Sequence, residues 1–104
     1  MPVSQQADVA QIQARQTKLD SAHRLLRDAT ADLGHDNLEV RISALYVLNW
    51  LAVDNPDMEF LAIGAISAFL RRLDKTYDKT EPPYDVDVAT SILRERQADY
   101  DDAS

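Results

Sequence analysis

The segment LGHDNLEVRISALYVLNWLA, residues 33–52, decides the fold of this chain. Leu33-Gly34 predicts the end of one helix, because glycine accepts the left-handed conformation in which many helices stop. Asp36 followed by Glu39 has the spacing of a capping box, so a second helix is expected to begin at Asp36. That helix is apolar around most of its circumference, which is typical of the buried middle of a helical bundle.

The second helix is expected to run to about Val53 and to bury one broad face. At about 100° per residue, that face comprises Leu38, Ala44, Leu45, Leu48, Leu51 and Ala52. Val40, Val47 and Trp50 lie outside its centre. Trp50 is the only tryptophan of the chain. Either a neighbouring helix covers it, or it is an exposed aromatic anchor of the kind enriched at binding hot spots.

Before this segment, the sequence predicts a long N-terminal helix from about residue 6 to residue 33. Its large apolar residues recur every seven positions, with smaller apolar residues beside them, and they form one stripe. The stripe comprises Val9, Ile12, Leu19, Ala22, Leu26, Ala29 and Leu33. Polar Gln16, His23 and Thr30 interrupt it and disfavour a strong homodimeric coiled coil. The first half of this helix is expected to fray or to project as an arm.

After the segment, the turn Asn55-Pro56 predicts a third helix from about Pro56 to Leu73. Its expected core face comprises Phe60, Ala62, Ile63, Ala65, Ile66, Leu70 and Leu73. Gly64 in the middle of a helix is costly, so we expect it to allow close contact with another helix.

A polar segment, residues 74–84, contains Pro82-Pro83 and predicts a non-helical loop before the last helix. That helix is expected to begin near Asp85 or Asp87, with these carboxylates as caps, and to end near Gln97. Its expected apolar face comprises Val88, Ala89, Ile92 and Leu93. The sequence therefore predicts one all-α domain over residues 1–98 and a disordered acidic tail over residues 99–104.

Three blocks in order resemble a known family: residues 33–52, then AISAFLR at 65–71, then DVDVA at 85–89. Together, over about residues 26–96, they resemble the HEAT-like helical segment that precedes the repeats in bacterial pentapeptide-repeat proteins. The resemblance implies a four-helix HEAT-like repeat or bundle with a long N-terminal helix, from a bacterium or a phage. It also implies a protein-binding role, because HEAT-like repeats expose helix faces for partners.

The same resemblance implies a structural role for Arg41, which would pair with a nearby acidic group or helix-end carbonyl, such as Asp36 or its counterpart. The sequence also departs from the family. It contains no pentapeptide repeats and none of the flanking transmembrane helices, and Asn49-Trp50 stands where the family usually has Glu-Arg.

Composition limits the class of function. The 104 residues include 18 acidic and 11 basic side chains, giving a net charge of −7. This sign opposes direct binding of nucleic acid and favours a basic protein partner, although acidity also simply confers solubility. There is no cysteine for a thiol nucleophile or a thiolate metal site. No apolar run reaches the roughly 18 residues of a membrane span, and a cytoplasmic protein is expected.

No pattern for catalysis or metal binding stands out. His23 and His35 are not spaced as a helical metal pair, and we expect a packed or capping role for the first and a solvated turn for the second. Asp85 and Asp87 lack the glycine and the terminal glutamate of a calcium loop. With only two glycines there is no phosphate-binding loop. We therefore expect no enzymatic activity and no cofactor.

The favoured hypothesis is a non-catalytic protein–protein interaction module with a regulatory or adaptor role. Its candidate binding residues are Trp50, Val47, Tyr46, Asn49, Arg71 and Arg72. The two arginines also fit a simpler role, complementing the dipole at a helix C-terminus. The alternative hypothesis is an acidic inhibitor that occupies the basic surface of a DNA-binding protein or another nucleic-acid enzyme. Homodimerisation is left open.

Overall fold

The computed structural model describes the backbone of residues 3–73 and 84–103, and the side chains of residues 7–72 and 84–98. Most of the loop predicted over residues 74–84 lies outside the described part of the chain, and so does the predicted core side chain of Leu73. No strand occurs in the described ranges, and the predicted all-α class is confirmed.

The described residues form four helices in the predicted order. They are α1 (Val3–Asp32), α2 (Leu38–Asp54), α3 (Pro56–Leu73) and α4 (Tyr84–Ala103). Asn55 alone separates α2 from α3, and its N–H closes α2 by donating to the carbonyl of Leu51 at 2.9 Å. Pro56 then opens α3, as predicted, since proline fits the first turn of a helix.

The α2–α3 pair forms the centre of the molecule. Both α1 and α4 pack against each of these two helices, but α1 and α4 do not contact each other within the described ranges. One cover helix therefore lies on each side of the central pair. The side chains of α2 and α3 that point away from the shared core form two separate outer faces.

The core of α2 agrees closely with the predicted face. Ala44, Leu45, Leu48, Leu51 and Ala52 are all buried. The prediction for Leu38 is wrong, because its side chain is 39% exposed. Leu38 is the first residue of α2 and precedes Ala44, the first buried one, by almost two helical turns.

The core face of α3 is rotated from the predicted one. Its buried residues are Met58, Ala62, Ile66 and Phe69, which follow the four-four-three spacing of a straight helix. Phe60, predicted in the core, is 87% exposed and points to the opposite side of the helix. Ile63, Ala65 and Leu70 are partly buried against the core cluster.

Neither of the two helix caps that we predicted between α1 and α2 is present in the structure. Gly34 is not left-handed, since no described residue has a positive φ. Instead α1 tightens in its last turn, with the Gly34 N–H donating to the Ala31 carbonyl at 3.0 Å. The N-cap of α2 is Asn37, whose Oδ1 accepts from the Glu39 N–H at 2.8 Å, and not Asp36.

Gly64 does not serve a close contact with another of the described helices. A Cβ atom built on it meets nothing within 4 Å, so the predicted close approach of another helix is wrong. A glycine in a helix interior costs about 1 kcal/mol relative to alanine. No contact among the described residues offsets this loss of stability.

The first half of α1 projects from the domain. Residues 7–18 are all exposed, with Val9 at 52% and Ile12 at 57%. From Leu19 onward the predicted stripe packs on α2 and α3, and Ala22, Ala29 and Leu33 are buried. The longest dimension is 67 Å and the radius of gyration is 17.4 Å, against about 13 Å for a compact chain of this length.

Helix α4 extends further than predicted. It begins at Tyr84 and its backbone stays helical to Ala103, past the expected end near Gln97 and into the segment expected to be a disordered tail. Val88, Ala89 and Ile92 form its buried face as predicted, and Val86 is also buried.

Candidate functional site

The outer face of α2 carries three large apolar side chains that stay exposed. Tyr46, Trp50 and Val53 are 53%, 55% and 56% exposed, respectively. Their spacing of four and then three residues places them on one side of the helix, opposite the buried Leu48. We call these three residues the α2 outer face. The sequence left open whether a neighbouring helix covers Trp50. Its exposure shows that it is not a core residue.

Trp50 of α2 lies beside α1. It lines a cavity of about 150 Å³ together with Lys18 and Leu25 of α1 and Asp54 of α2. Leu25 is itself 37% exposed and extends the apolar surface beyond α2. Aromatic, apolar and charged groups therefore meet there, as in the core and rim of protein interfaces.

Tyr46 and Asn49 face the other neighbour of α2. With Tyr84, Asp87 and Glu95 of α4, they line a cavity of about 260 Å³. The side-chain Oδ1 of Asn49 is buried and has no hydrogen-bond partner among the described residues. Tyr84 is 59% exposed. This side of the α2 outer face is therefore rich in hydrogen-bond acceptors and carries two carboxylates.

Two of the predicted groups do not belong to this surface. Val47 is partly buried and packs against the core, so it is not one of the exposed residues of the α2 outer face. Arg71 and Arg72 are exposed in the last turn of α3. Arg71 lines a different cavity, between α3 and α4, and the structure does not bring it to Trp50.

The outer face of α3 is the second prominent surface. Phe60, Gly64, Ser67 and Arg71 lie on one side of α3, opposite its buried residues, and we call them the α3 outer face. With Leu93, Arg96 and Gln97 of α4, this face lines an open cavity of about 790 Å³. It is larger than the cavities on either side of the α2 outer face. Sequence reasoning missed this surface, because it placed Phe60 in the core.

Arg41 holds the start of α2 to the start of α4. Its Nε donates to Oδ2 of Asp85 at 2.9 Å. Its Nη1 donates to the carbonyl oxygens of His35 at 2.7 Å and Asp36 at 2.9 Å. An acidic group and helix-end carbonyls are the partners that we expected for Arg41, and Asp36 takes part through its backbone.

Asp85 is the one charged residue of the described part that is fully buried, at 1% exposure. It is the second residue of α4 and not its cap. Its Oδ1 accepts from the Val86 N–H at 3.0 Å while Oδ2 pairs with Arg41. The exposed Asp87, also expected to cap, lies in the first turn, where a carboxylate favours the helix dipole.

The side chain of each histidine contacts the backbone of a residue close to it in the sequence. His23 Nδ1 lies 2.8 Å from the Leu19 carbonyl in α1. His35 is more than a solvated turn residue, since its Nδ1 accepts from the Asn37 N–H at 3.0 Å. Within the described residues, no three His, Asp or Glu side chains converge as a metal site requires.

Charge is unevenly distributed over the helices. Helix α4 contains six acidic and two basic residues, a net −4 of the −7 carried by the whole chain. Asp87 and Glu95 place part of this charge beside Tyr46. Among the described helices, none has the length and apolar character needed to cross a lipid bilayer.

A helical wheel phased on the buried residues of α2 could have found Val53 as a partner of Tyr46 and Trp50. Leu25 and Tyr84 could not have been found in that way, because their positions depend on how α1 and α4 pack. Comparison with known proteins adds no assignment: no family model, curated protein or solved structure matches this chain. The likeness to the HEAT-like segment of pentapeptide-repeat proteins therefore stays a prediction.

Proposed function

We propose that this protein is a non-catalytic protein-interaction module, a small cytoplasmic regulatory or adaptor protein that binds its partner through the α2 outer face. The observation that carries the proposal is the 55% exposure of Trp50 at the centre of that face. An exposed tryptophan flanked by tyrosine and valine presents apolar area that water solvates poorly. Tryptophan and tyrosine are also the residue types that dominate binding energy at interfaces.

The surroundings of Trp50 support this role. The side chain stands between apolar Leu25 on α1 and the tyrosine-lined cavity at α4, so a partner could contact three helices at once. The helix that carries it is closely packed on its inner side, where Leu48 and Leu51 are fully buried. A preformed surface of this kind loses little conformational freedom on binding.

The test compares Trp50→Ala with Leu61→Ala, a matched control because Leu61 is 49% exposed on another helix. Each purified full-length variant is used as bait in a lysate of the source organism, and the retained proteins are identified and quantified. We expect one defined partner that wild type and Leu61→Ala retain and Trp50→Ala loses. Binding of the purified partner would then fall by about tenfold or more.

Thermal unfolding separates binding from folding. Because Trp50 is half-exposed, Trp50→Ala should leave the melting temperature within a few degrees of wild type. A variant that retains every partner, or one that unfolds at the assay temperature, would refute the proposed role of Trp50.

A second candidate function is favoured by the charge on α4. The exposed carboxylates of Asp87 and Glu95 lie beside Tyr46, which suits a partner with lysine or arginine side chains. Such a protein would act as an acidic inhibitor by covering the basic surface of a DNA-binding protein or another nucleic-acid enzyme. Attraction of this kind is screened by salt.

The partner's affinity is therefore measured from about 50 to about 300 mM salt, where the Debye length shortens. If the protein is an acidic inhibitor, we expect the partner's affinity to fall steeply as the salt concentration rises. We also expect the affinity of the double variant Asp87→Asn/Glu95→Gln to depend less on salt. Asp28→Asn, an exposed change on α1, should leave the salt dependence unchanged. Affinity that does not vary with salt would support the adaptor role alone.

A further inference from the structure

We infer that the α3 outer face is a second interface, through which two copies of this chain pair with their α3 helices antiparallel. Phe60 is the most exposed large apolar residue of the described part, at 87%. It lies at the edge of the 790 Å³ cavity between α3 and α4. The cavity already has an apolar lining in Ile63 and Leu93, so a second apolar surface can cover it.

Gly64 indicates that a backbone approaches this face from outside. It lies at the middle of α3, where no atom of the described residues comes within 4 Å of a Cβ atom built on it. Its helix would gain stability from alanine at that position. Small residues such as Gly64 and the neighbouring Ser67 allow two helices to cross closely, as in helix pairs that associate through small side chains.

The charges at the two ends of α3 identify a second copy as the occupant. Asp57 and Glu59 are exposed in the first turn, and Arg71 and Arg72 are exposed in the last turn. When two such helices cross antiparallel, the acidic end of each lies against the basic end of the other. A two-fold arrangement satisfies both ends at once, which is the self-complementarity that a symmetric dimer requires.

The pairing also provides a contact for Phe60. With the two-fold axis near Gly64 and Ser67, Phe60 of one copy lies towards Arg71 of the other, where a guanidinium can stack on the aromatic ring. Helix α3 is about 27 Å long. An interface made mainly by one helix from each copy is near the lower end of specific interfaces, so we expect a micromolar dimer.

The first test is sedimentation of the full-length protein from about 1 to about 500 µM, a range that covers micromolar association. We expect wild type to pass from monomer to dimer across this range. Gly64→Leu should raise the dissociation constant by about tenfold or more, because the added side chain blocks the crossing. Since Gly64 faces open space in the monomer, Gly64→Leu should retain the helical circular dichroism and the melting temperature of wild type.

The second test reverses the charges of one end at a time. Asp57→Lys/Glu59→Lys gives a copy with two basic ends, and Arg71→Glu/Arg72→Glu gives a copy with two acidic ends. Each variant alone should remain monomeric, because like charges meet at both ends of the pair. An equimolar mixture of the two should form a heterodimer in which both ends attract.

A third variant, Ile12→Asp, distinguishes this dimer from one made by the projecting arm of α1. The inference holds if Ile12→Asp dimerises like wild type and the charge-reversed pair associates only on mixing. It is overturned if wild type is monomeric throughout, if Gly64→Leu dimerises as tightly as wild type, or if the mixture stays monomeric. Loss of the dimer in Ile12→Asp alone would assign it to the arm and also overturn the inference.

Discussion

The apolar stripe of α1 continues to Leu33, the residue just after the helix, but only this end of the stripe is buried. Leu33 is 2% exposed, whereas Ile12, three repeats earlier in the stripe, is 57% exposed. Helix α1 has 30 residues and α2 has 17, so about 20 Å of α1 extends beyond its main support. The comparison shows that an apolar stripe predicts which face of a helix can be buried. The lengths of the neighbouring helices determine how much of that face is buried.

The buried end is also the end that Arg41 holds together. Near Leu33, the turn carbonyls of His35 and Asp36 and the carboxylate of Asp85 all accept hydrogen bonds from that one side chain. The arm end has only helical backbone and exposed side chains over residues 7–18. Stability should therefore depend strongly on substitutions at the Leu33 end and weakly on those in the arm.

The largest expected effect is at Arg41. Arg41→Met leaves the carboxylate of Asp85 buried without its counter-ion, and breaking a buried pair in this way costs about 3–5 kcal/mol. Chemical denaturation followed by circular dichroism measures the free energy of unfolding. Arg24→Met, an exposed change on α1, is the matched control and should change that free energy by less than about 0.5 kcal/mol. An equal effect of the two substitutions would show that the ion pair does not stabilise this end.

A matched pair of truncations tests the comparison between the two ends of the same apolar stripe. Leu33→Ala should lower the free energy of unfolding by about 2–5 kcal/mol, because it opens a cavity among fully packed side chains. Ile12→Ala removes a similar aliphatic side chain from an exposed position and should change it by less than about 0.5 kcal/mol. If Ile12→Ala proved as costly as Leu33→Ala, the arm would have to be packed in solution.

The smallest effect concerns the cap of α2. Asn37→Ala removes the acceptor of the Glu39 N–H and should cost about 1 kcal/mol, the usual value for an N-cap. Asp36→Ala should cost only a few tenths of a kcal/mol, because Asp36 contributes its carbonyl and not its side chain to the turn. Thermal unfolding of both variants resolves this difference, and the reverse order would restore Asp36 as the cap.

Much of the fold could be predicted from local signals. The turn at Asn55-Pro56 and the buried face of α2 follow from residues that lie close together in the sequence. The phase of α3 could not be predicted in the same way. Apolar residues surround most of that helix, so tertiary packing selected Met58 and Phe69 for the core and left Phe60 outside.

The surfaces were harder to predict than the core. The sequence placed Trp50 off the core face but could not tell whether another helix covers it, because that depends on where α1 and α4 pack. The burial of Asp85 was not foreseen either, since its partner Arg41 lies 44 residues earlier in the chain. A wheel drawn for one helix contains no information about such distant pairs.

The absence of contact between α1 and α4 in the described ranges gives the molecule two independent covers. Detachment of α1 would expose Leu51 and Met58, to which Ala22 packs, without breaking a described contact between α1 and α4. The Arg41–Asp85 pair would meanwhile keep α4 in place, because neither residue belongs to α1. Local opening can therefore begin at α1 while the rest of the domain stays folded, in the manner of a separate cooperative unit.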